Sequence, residues 1–331
     1  MEHRYFSIDI GGTATKYAHF DRGGKMQEHR SVATPTNKED FLKLLDQLVG
    51  KLEDSVVGIG VSVPGIVDPM EGTVTFTGAL SFMGTFDLAS YIRLASGCPV
   101  FIGNDANCAT LAELWQGRLK GVENGALITL GTSVGGELVL NGHLMSGRHF
   151  QTGQVSAMVT NFDEPTPATT VGATTSAVKM IEDVAVACKI KDAHDGWAVF
   201  EKIDEGDDRA WPIFSAFCRR VALLLINLQA VLDLDRVLLG GGISSQPRLL
   251  AEIDYQFEAL QRQDPRLLAD VTKPDLLAAR FGNQANLRGA LDGLLMHLKH
   301  KEWGMIFSTD RMTKLGGRLV PWHRSSPVLR H

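Results

Sequence analysis

Residues 9–16 read "DIGGTATK". The short stretch Phe6-Ser7-Ile8 leads into Asp9, and "TKYAHF" (15–20) follows with alternating character. The pattern predicts a strand, a two-residue Gly-Gly hairpin turn and a return strand. A plain hairpin accounts for these residues by itself. A functional reading adds to it. Glycine lets a backbone N–H approach another group closely, and Thr13 supplies a hydroxyl. Such a tip cradles phosphate oxygens. A carboxylate at Asp9 tolerates phosphate only with a cation between them, which points to Mg2+.

The stretch has an echo. "GALITLGTSVGGELVLNGHLMSG" (125–147) again runs from an apolar strand through a Gly–Thr tip into a β-return. Two such units in one chain predict an internal structural repeat. The polar, glycine-bearing "QGRLKGVENG" (116–125) marks the boundary between them.

Between these units strands and helices alternate. "KEDFLKLLDQLVGKLED" (38–54) carries apolar residues at helical spacing. "VVGIGVSVPGIVD" (56–68) is a continuous apolar run ending at Pro64-Gly65, as in a strand buried on both faces. "CPVFIGNDAN" (98–107) is a short strand with Asn104 and Asp105 at its tip, followed by a helix over about 109–119. Beyond the boundary, helices are predicted near 174–190, 196–203 and 210–233, then a strand running into "GGGIS" (240–244), then an amphipathic helix over 287–299. The alternation predicts an α/β protein with its ligands at the carboxyl ends of the strands. Residues 300–331 show no clear period.

The bulk properties narrow the function. The chain has 331 residues, 44% hydrophobic and 21% charged, the balance of a soluble globular protein with room for two domains. A net charge of −5 argues against a nucleic-acid surface. No uninterrupted apolar run reaches membrane-spanning length, since "VALLLINLQAVL" (221–232) is broken by Asn227 and Gln229. Arg4 leads straight into a strand without a signal-like segment, so a cytoplasmic protein without a membrane partner is expected. Cys98, Cys108, Cys188 and Cys218 form no C-x-x-C pair, so free thiols and no zinc are expected.

Four glycine- or Asp-bearing sites thus stand at strand ends: Asp9 to Thr13, Asn104-Asp105, Gly131-Thr132 with Gly135-Gly136, and Gly240 to Gly242. Two Gly–Thr turns facing a cleft suit a nucleoside triphosphate, and a lone carboxylate suits a base for phosphoryl transfer to a hydroxyl. Each piece has a plainer use: Asp105 as a helix N-cap, "GGG" as a strand-to-helix turn, Gly131-Thr132 as a hairpin bulge.

The ordered set "DIGGTATK", "GVSVPGIVD" (60–68), "GNDANCATLAE" (103–113), "LGTSVGGELVLNG" (130–142) and "LGGGIS" (239–244) resembles the ROK family of sugar kinases, over about residues 5–299. The resemblance implies two actin-like (ribonuclease H-like) α/β domains, each a mixed β-sheet flanked by helices, with the active-site cleft between them. Residues 1–117, completed by the helix at 287–299, would form the first lobe and 118–286 the second, with 300–331 as a tail. It further implies ATP and Mg2+ as cofactors. Gly11, Gly12, Thr13, Lys16, Gly131, Thr132 and Gly135 would serve the phosphates, Gly241 and Gly242 the adenosine, and Asp9 the Mg2+. Asp105 would be the base that deprotonates a sugar hydroxyl, usually on C6. Asn104, Gly65, Gly78, Ala79 and Gln154 would line the sugar site, and a homodimer is expected.

Two departures redirect the substrate. Gln154 stands where the family's sugar-binding Glu is expected, and Ala157 where its His is expected; the zinc cysteines are absent. "TGALSFMGTFDL" (77–88) replaces an Asn-Leu sugar motif. Both resemble a zinc-less branch that includes β-glucoside kinases, and shift the expected substrate toward a sugar with its anomeric side occupied. The same family also contains regulators, and a protein that binds sugar and ATP without turnover is the other reading of the altered positions.

Overall fold

A computed structural model describes residues 3–50, 52–263 and 271–308. The chain divides after Leu294. The sheets and the candidate site belong to the first unit; the described part of the second is the end of one helix.

Two five-stranded sheets repeat one plan. In the first, β1 (Arg4–Ile10), β2 (Ala14–Phe20) and β3 (Met26–Ala33) form an antiparallel meander. β4 (Val56–Val63) and β8 (Val100–Asn104) then add in parallel, giving the order β3-β2-β1-β4-β8. In the second, β9 (Gly125–Leu130), β10 (Val134–Leu140) and β11 (His143–Leu144) make the meander, and β12 (Arg236–Gly240) and β13 (Asp275–Ala278) add in parallel. The repeat expected from the two Gly–Thr strand ends is therefore present in the topology.

Burial on both faces explains the near-continuous apolar strands. On one side of the first sheet, Ile8, Ile59, Val61 and Val63 pack with Phe41 and Leu45 of α1 (Lys38–Val49) and Leu88 and Ile92 of α2 (Leu88–Ser96). On the other side residues 285–294 of a long C-terminal helix, α9 (Ala285–Ser308), lie on β4, and a Cβ on Gly60 would collide with the Ala290 carbonyl. The predicted helix at 287–299 is therefore longer at both ends; no proline interrupts the chain from 285 to 308. Of the expected tail, 300–308 continues this helix and 309–331 lies outside the described residues.

The second sheet is covered on one face by α5 (Ala177–Cys188), α6 (Gly196–Asp204), α7 (Trp211–Leu232) and α8 (Pro247–Gln263), which follow the one-turn α4 (Val171–Thr174). α7 is 22 residues long and, by length and composition alone, apolar enough to cross a membrane. Arg219 and Arg220 break the apolar run but not the helix. Its Phe214, Phe217, Val221, Leu224 and Leu225 are instead buried in the core on this sheet. The other face, with Leu127, Val139 and Leu238, packs on Ala109 and Leu114 of α3 (Asp105–Gln116). Helix α3 thus starts at the end of a first-sheet strand and runs along the second sheet.

One part of the fold has no counterpart in the sequence reading. The strand in the apolar run 56–68 ends at Pro64-Gly65 as expected, and there Gly65 has φ = +118° and no room for a Cβ beside the Thr75 carbonyl. β5 (Ile66–Asp68) then joins β6 (Thr73–Thr75) and β7 (Thr85–Asp87) in a small antiparallel sheet. A 3-10 helix over Gly78–Met83 links the last two, anchored by buried Leu80 and Met83.

Candidate active site

The first tip is tighter in its bonding and longer in its span than a two-residue hairpin. The last cross-strand pair is Ile10 with Thr15, and Gly11 N–H donates to the Ala14 carbonyl at 3.0 Å. Neither Gly11 nor Gly12 has positive φ. They are needed for close approach, since a Cβ on Gly12 would sit 2.9 Å from that of Ala79. The tip is held from below by Thr34, whose hydroxyl donates to the Gly11 carbonyl at 2.8 Å and whose N–H donates to the Thr13 carbonyl at 3.0 Å. Gly12 and Thr13 are left exposed. The structure therefore brings the Gly78-Ala79 stretch against the tip.

Asp9, Ser62 and Asn104 fall at the ends of three adjacent parallel strands. Asp9 is in register with Ser62, and Val63 with Asn104. The Asp9 carboxylate is buried and accepts from Ser62 Oγ at 3.1 Å and from Asn286 Nδ2 at 3.0 Å, both on Oδ1. Among the described residues its Oδ2 meets Lys16 Nζ, at 3.9 Å. Lys16, directly across the ladder from Asp9, is thus turned toward that carboxylate.

Asn104, not Asp105, caps α3. Its Oδ1 accepts from the N–H groups of Ala106 (2.9 Å) and Asn107 (3.3 Å), and its Nδ2 donates to the Gly65 carbonyl (2.9 Å). Asp105 is the first helical residue, and one of its oxygens takes a single backbone bond, from its neighbour Ala106. The plainer use of Asp105 is therefore filled by the residue before it.

The second tip mirrors the first. Gly131 N–H donates to the Ser133 carbonyl at 3.0 Å, and Thr132 and Ser133 are exposed. Its Gly131 carbonyl accepts from Ala177 N–H at 2.9 Å, so the start of α5 abuts the tip. Beside it, Gly241 has φ = +98° and lies on the Leu130 carbonyl with no space for a side chain, whereas Gly242 faces open space. Gln246, two residues past Ser244, lines an open pocket of about 580 Å³ with Trp197, Phe200, Glu201, Asp204 and Glu205. Gln154 is exposed, in a turn seated on β10.

Residues 5–296 match the ROK family. The chain belongs to the ROK family. It is 29% identical over 294 residues to a β-glucoside kinase of Listeria monocytogenes, a match covering 86% of this chain and 95% of that one. It is 29% identical over 306 residues to an N-acetyl-D-glucosamine kinase of Photobacterium profundum, covering 86% and 97%. A ROK family protein of Streptococcus pneumoniae TIGR4, solved in complex with sucrose, superposes with a TM-score of 0.81 at 29% identity over 90% of this chain and 99% of that chain. The two-sheet architecture is the actin-like fold of the ROK sugar kinases.

The electrostatics of this ROK protein single out two carboxyls. Burial raises the pKa of Asp105, and the nearby charge of Asp9 adds to the rise, against the Ala106 N–H bond that lowers it. Burial, helped by the charge of Asp105, pushes Glu137 up to about 8. Among the described residues no group of three or more His, Cys, Asp or Glu side chains is placed to hold a metal. The four cysteines are free, with Cys108 and Cys218 buried.

Sequence reasoning missed Ser62, Asn286 and Glu113. Glu113, near the end of α3 and almost fully buried, accepts from the N–H groups of Arg118 (2.8 Å), Arg280 (2.6 Å) and Phe281 (3.3 Å). It ties both the 117–119 connection and the chain entering α9 to α3. The ROK motif contains it, but nothing local distinguishes a structural Glu from a solvated one.

Proposed function

We propose that the protein is an ATP-dependent carbohydrate kinase that transfers the γ-phosphoryl group to a hydroxyl of a hexose or β-glucoside, with C6 the expected acceptor. The observation that carries this reading is the division of labour at 104–105: Asn104 caps the helix, and the Asp105 carboxylate at the strand end, although mostly buried and in contact with the Asn104 side chain, is not used as the cap. A base for phosphoryl transfer needs that freedom. The named relatives, a β-glucoside kinase and an N-acetyl-D-glucosamine kinase, support a sugar as the acceptor.

The residues fit the nucleotide and its cation. Gly12-Thr13 and Thr132-Ser133 offer exposed tips whose glycines admit close approach, as phosphate oxygens require. Asp9 Oδ2 retains free acceptor capacity, and Mg2+ typically binds through one or two carboxylates with water and phosphate completing its shell. When bound, Mg2+ would neutralise charge on the transferring phosphoryl group. Asp105 accepts the proton of the attacking hydroxyl. Ser62, Asn286 and Lys16 hold Asp9 in place. Gly241 and Gly242 form the floor for adenosine, with the adjacent pocket at Gln246 open to the base. Asn104 fixes Gly65, and with Gly78, Ala79 and Gln154 these residues frame the sugar. Movement about 117–124 would exclude water before transfer. The reading includes a homodimer and no structural zinc.

A coupled ADP-release assay with Mg-ATP tests it against glucose, mannose, N-acetylated hexosamines, allose, cellobiose and gentiobiose. Turnover on a disaccharide but not on glucose supports the β-glucoside assignment. Turnover on a monosaccharide alone keeps the kinase and removes that assignment. Absence of turnover on every sugar, with ATP still bound, overturns the kinase reading in favour of a binding protein.

A further inference from the structure

Glu137 lies in the middle of β10, and its position is fixed by strand alternation. Val134 and Leu138 belong to the core under α5 to α8, whereas Val139 belongs to the cluster that packs on Ala109 and Leu114 of α3. Successive side chains point to opposite faces. Glu137 therefore shares the α3 face with Val139, and α3 begins at Asp105.

Its surroundings give a carboxylate little reason to be there. Its cross-strand partner is Leu127. Val139 follows it on the same face, and Gly135 precedes it. Glu137 is 9% exposed, yet it accepts no hydrogen bond and forms no ion pair among the described residues. Its carboxyl oxygens are not among the fully buried side-chain atoms left without a partner, so the remaining exposure of this mostly buried residue is at the carboxyl end, where a ligand could reach it. Gly135 is exposed and has no side chain; its cross-strand partner is Thr129, whose Cβ would lie 3.5 Å from a Cβ added at Gly135. From behind, the turn that carries Gln154 presses on the strand: a Cβ on Gly153 would lie 3.2 Å from the Glu137 Cα. Glu137 thus stands between the base helix and the Gln154 turn, two residues from Gly135 of the second tip.

We infer that Glu137 is a specificity-determining residue that hydrogen-bonds a ring hydroxyl of an uncharged sugar beside the hydroxyl addressed by Asp105. The inference rests on the sugar-kinase reading. Glu137 is mainly protonated at neutral pH, because burial and Asp105 both disfavour its charge, so it offers a ring hydroxyl both a donor and an acceptor. A sugar acid would bring a second negative charge next to Asp105 and be rejected.

Glu137→Leu and Glu137→Gln separate this role from a structural one. The Leu variant should raise KM for the accepted sugar roughly ten- to a hundredfold, the loss of one buried hydrogen bond. The Gln variant should restore part of that loss, and KM for Mg-ATP should stay within about twofold in both. Sugar KM within about twofold of wild type in both variants overturns the inference while leaving the kinase intact. If the Leu variant does not fold, Glu137→Met, which also lacks the carboxyl donor and acceptor, decides by the same KM criterion. If the wild type turns over no sugar, the kinase reading fails first. Sugar-induced shifts in melting temperature then decide: a shift present in wild type and lost in Glu137→Gln or Glu137→Leu keeps the inference, and no shift in wild type overturns it.

Discussion

Asn104 and Asp105 are adjacent in sequence and divided in role. The Asn104 side chain accepts two helix N–H bonds and donates to Gly65, while Asp105 takes one bond from its neighbour. The division makes the two substitutions distinguishable. Asp105→Asn preserves shape and should leave melting temperature and nucleotide binding near wild type. Turnover should fall by roughly 10²- to 10⁴-fold, the usual contribution of a positioned base. Asn104→Ala should instead cost about 1 kcal/mol of stability as a lost cap, together with turnover, because Gly65 and the start of α3 lose their tie. Paired calorimetry and steady-state kinetics check both. Near-normal turnover in Asp105→Asn would remove the base assignment.

Glu137 gives the stability of the protein a pH dependence of definite sign. Its folded pKa, about 8, is above the ordinary value of 4.5 for Glu. The folded state therefore binds more protons than the unfolded state between these values. Its stabilising contribution is full below about 4.5 and is lost as pH rises through about 8. Glu137→Gln is neutral throughout and removes this dependence. Melting temperature measured from pH 5 to 8 should decline less steeply in the variant than in wild type. Equal slopes would mean that Glu137 ionises normally.

Gly241 and Gly242 look alike in sequence and differ in structure. Gly241 has φ = +98° and its missing side chain makes room for the Leu130 carbonyl; Gly242 faces nothing within 4 Å. Gly241→Ala should destabilise by about 1–3 kcal/mol through backbone strain alone, with more from the clash. Gly242→Ala should change stability by less than about 0.5 kcal/mol. A selective rise in KM for ATP in Gly242→Ala would place the adenosine over this residue. Thermal denaturation of the two variants, read with nucleotide kinetics, separates packing from binding.

These cases mark what is readable from the residues. Strand ends are legible because apolar runs terminate in glycine and polar residues, as at Gly11 and Gly131, and the repeat follows from two such ends. Helix α3 begins four residues before the predicted start because "NDAN" contains no apolar periodicity, only a cap whose owner depends on geometry. The β5–β7 sheet is invisible in the sequence because its strands have three residues each, too few for a period of two to register. Ser62 and Asn286 escape for a different reason. Their contact with Asp9 is set by strand register and by a helix 277 positions away in sequence. In sequence Glu137 reads as part of a glycine-rich motif, and only the alternation of β10 shows which face receives it.

Glu113 supplies the last prediction, because it joins distant backbone segments through one buried carboxylate. Its oxygens accept from Arg118, Arg280 and Phe281, and its own carbonyl accepts from Gly117 and Leu119 N–H groups. Glu113→Ala strands three N–H donors at once. Each buried orphan costs about 1–3 kcal/mol, so a total near or above 3 kcal/mol is expected even with partial rescue by water. Glu113→Gln retains one acceptor oxygen and should recover part of the loss. If the connection at 117–119 also acts as the pivot for closure, Glu113→Gln should lower kcat and raise KM for both substrates, since loosening a hinge affects them together. A fall in melting temperature with unchanged kinetics would assign Glu113 to folding alone, and unchanged melting temperature in Glu113→Ala would show that these bonds do not hold the connection in solution.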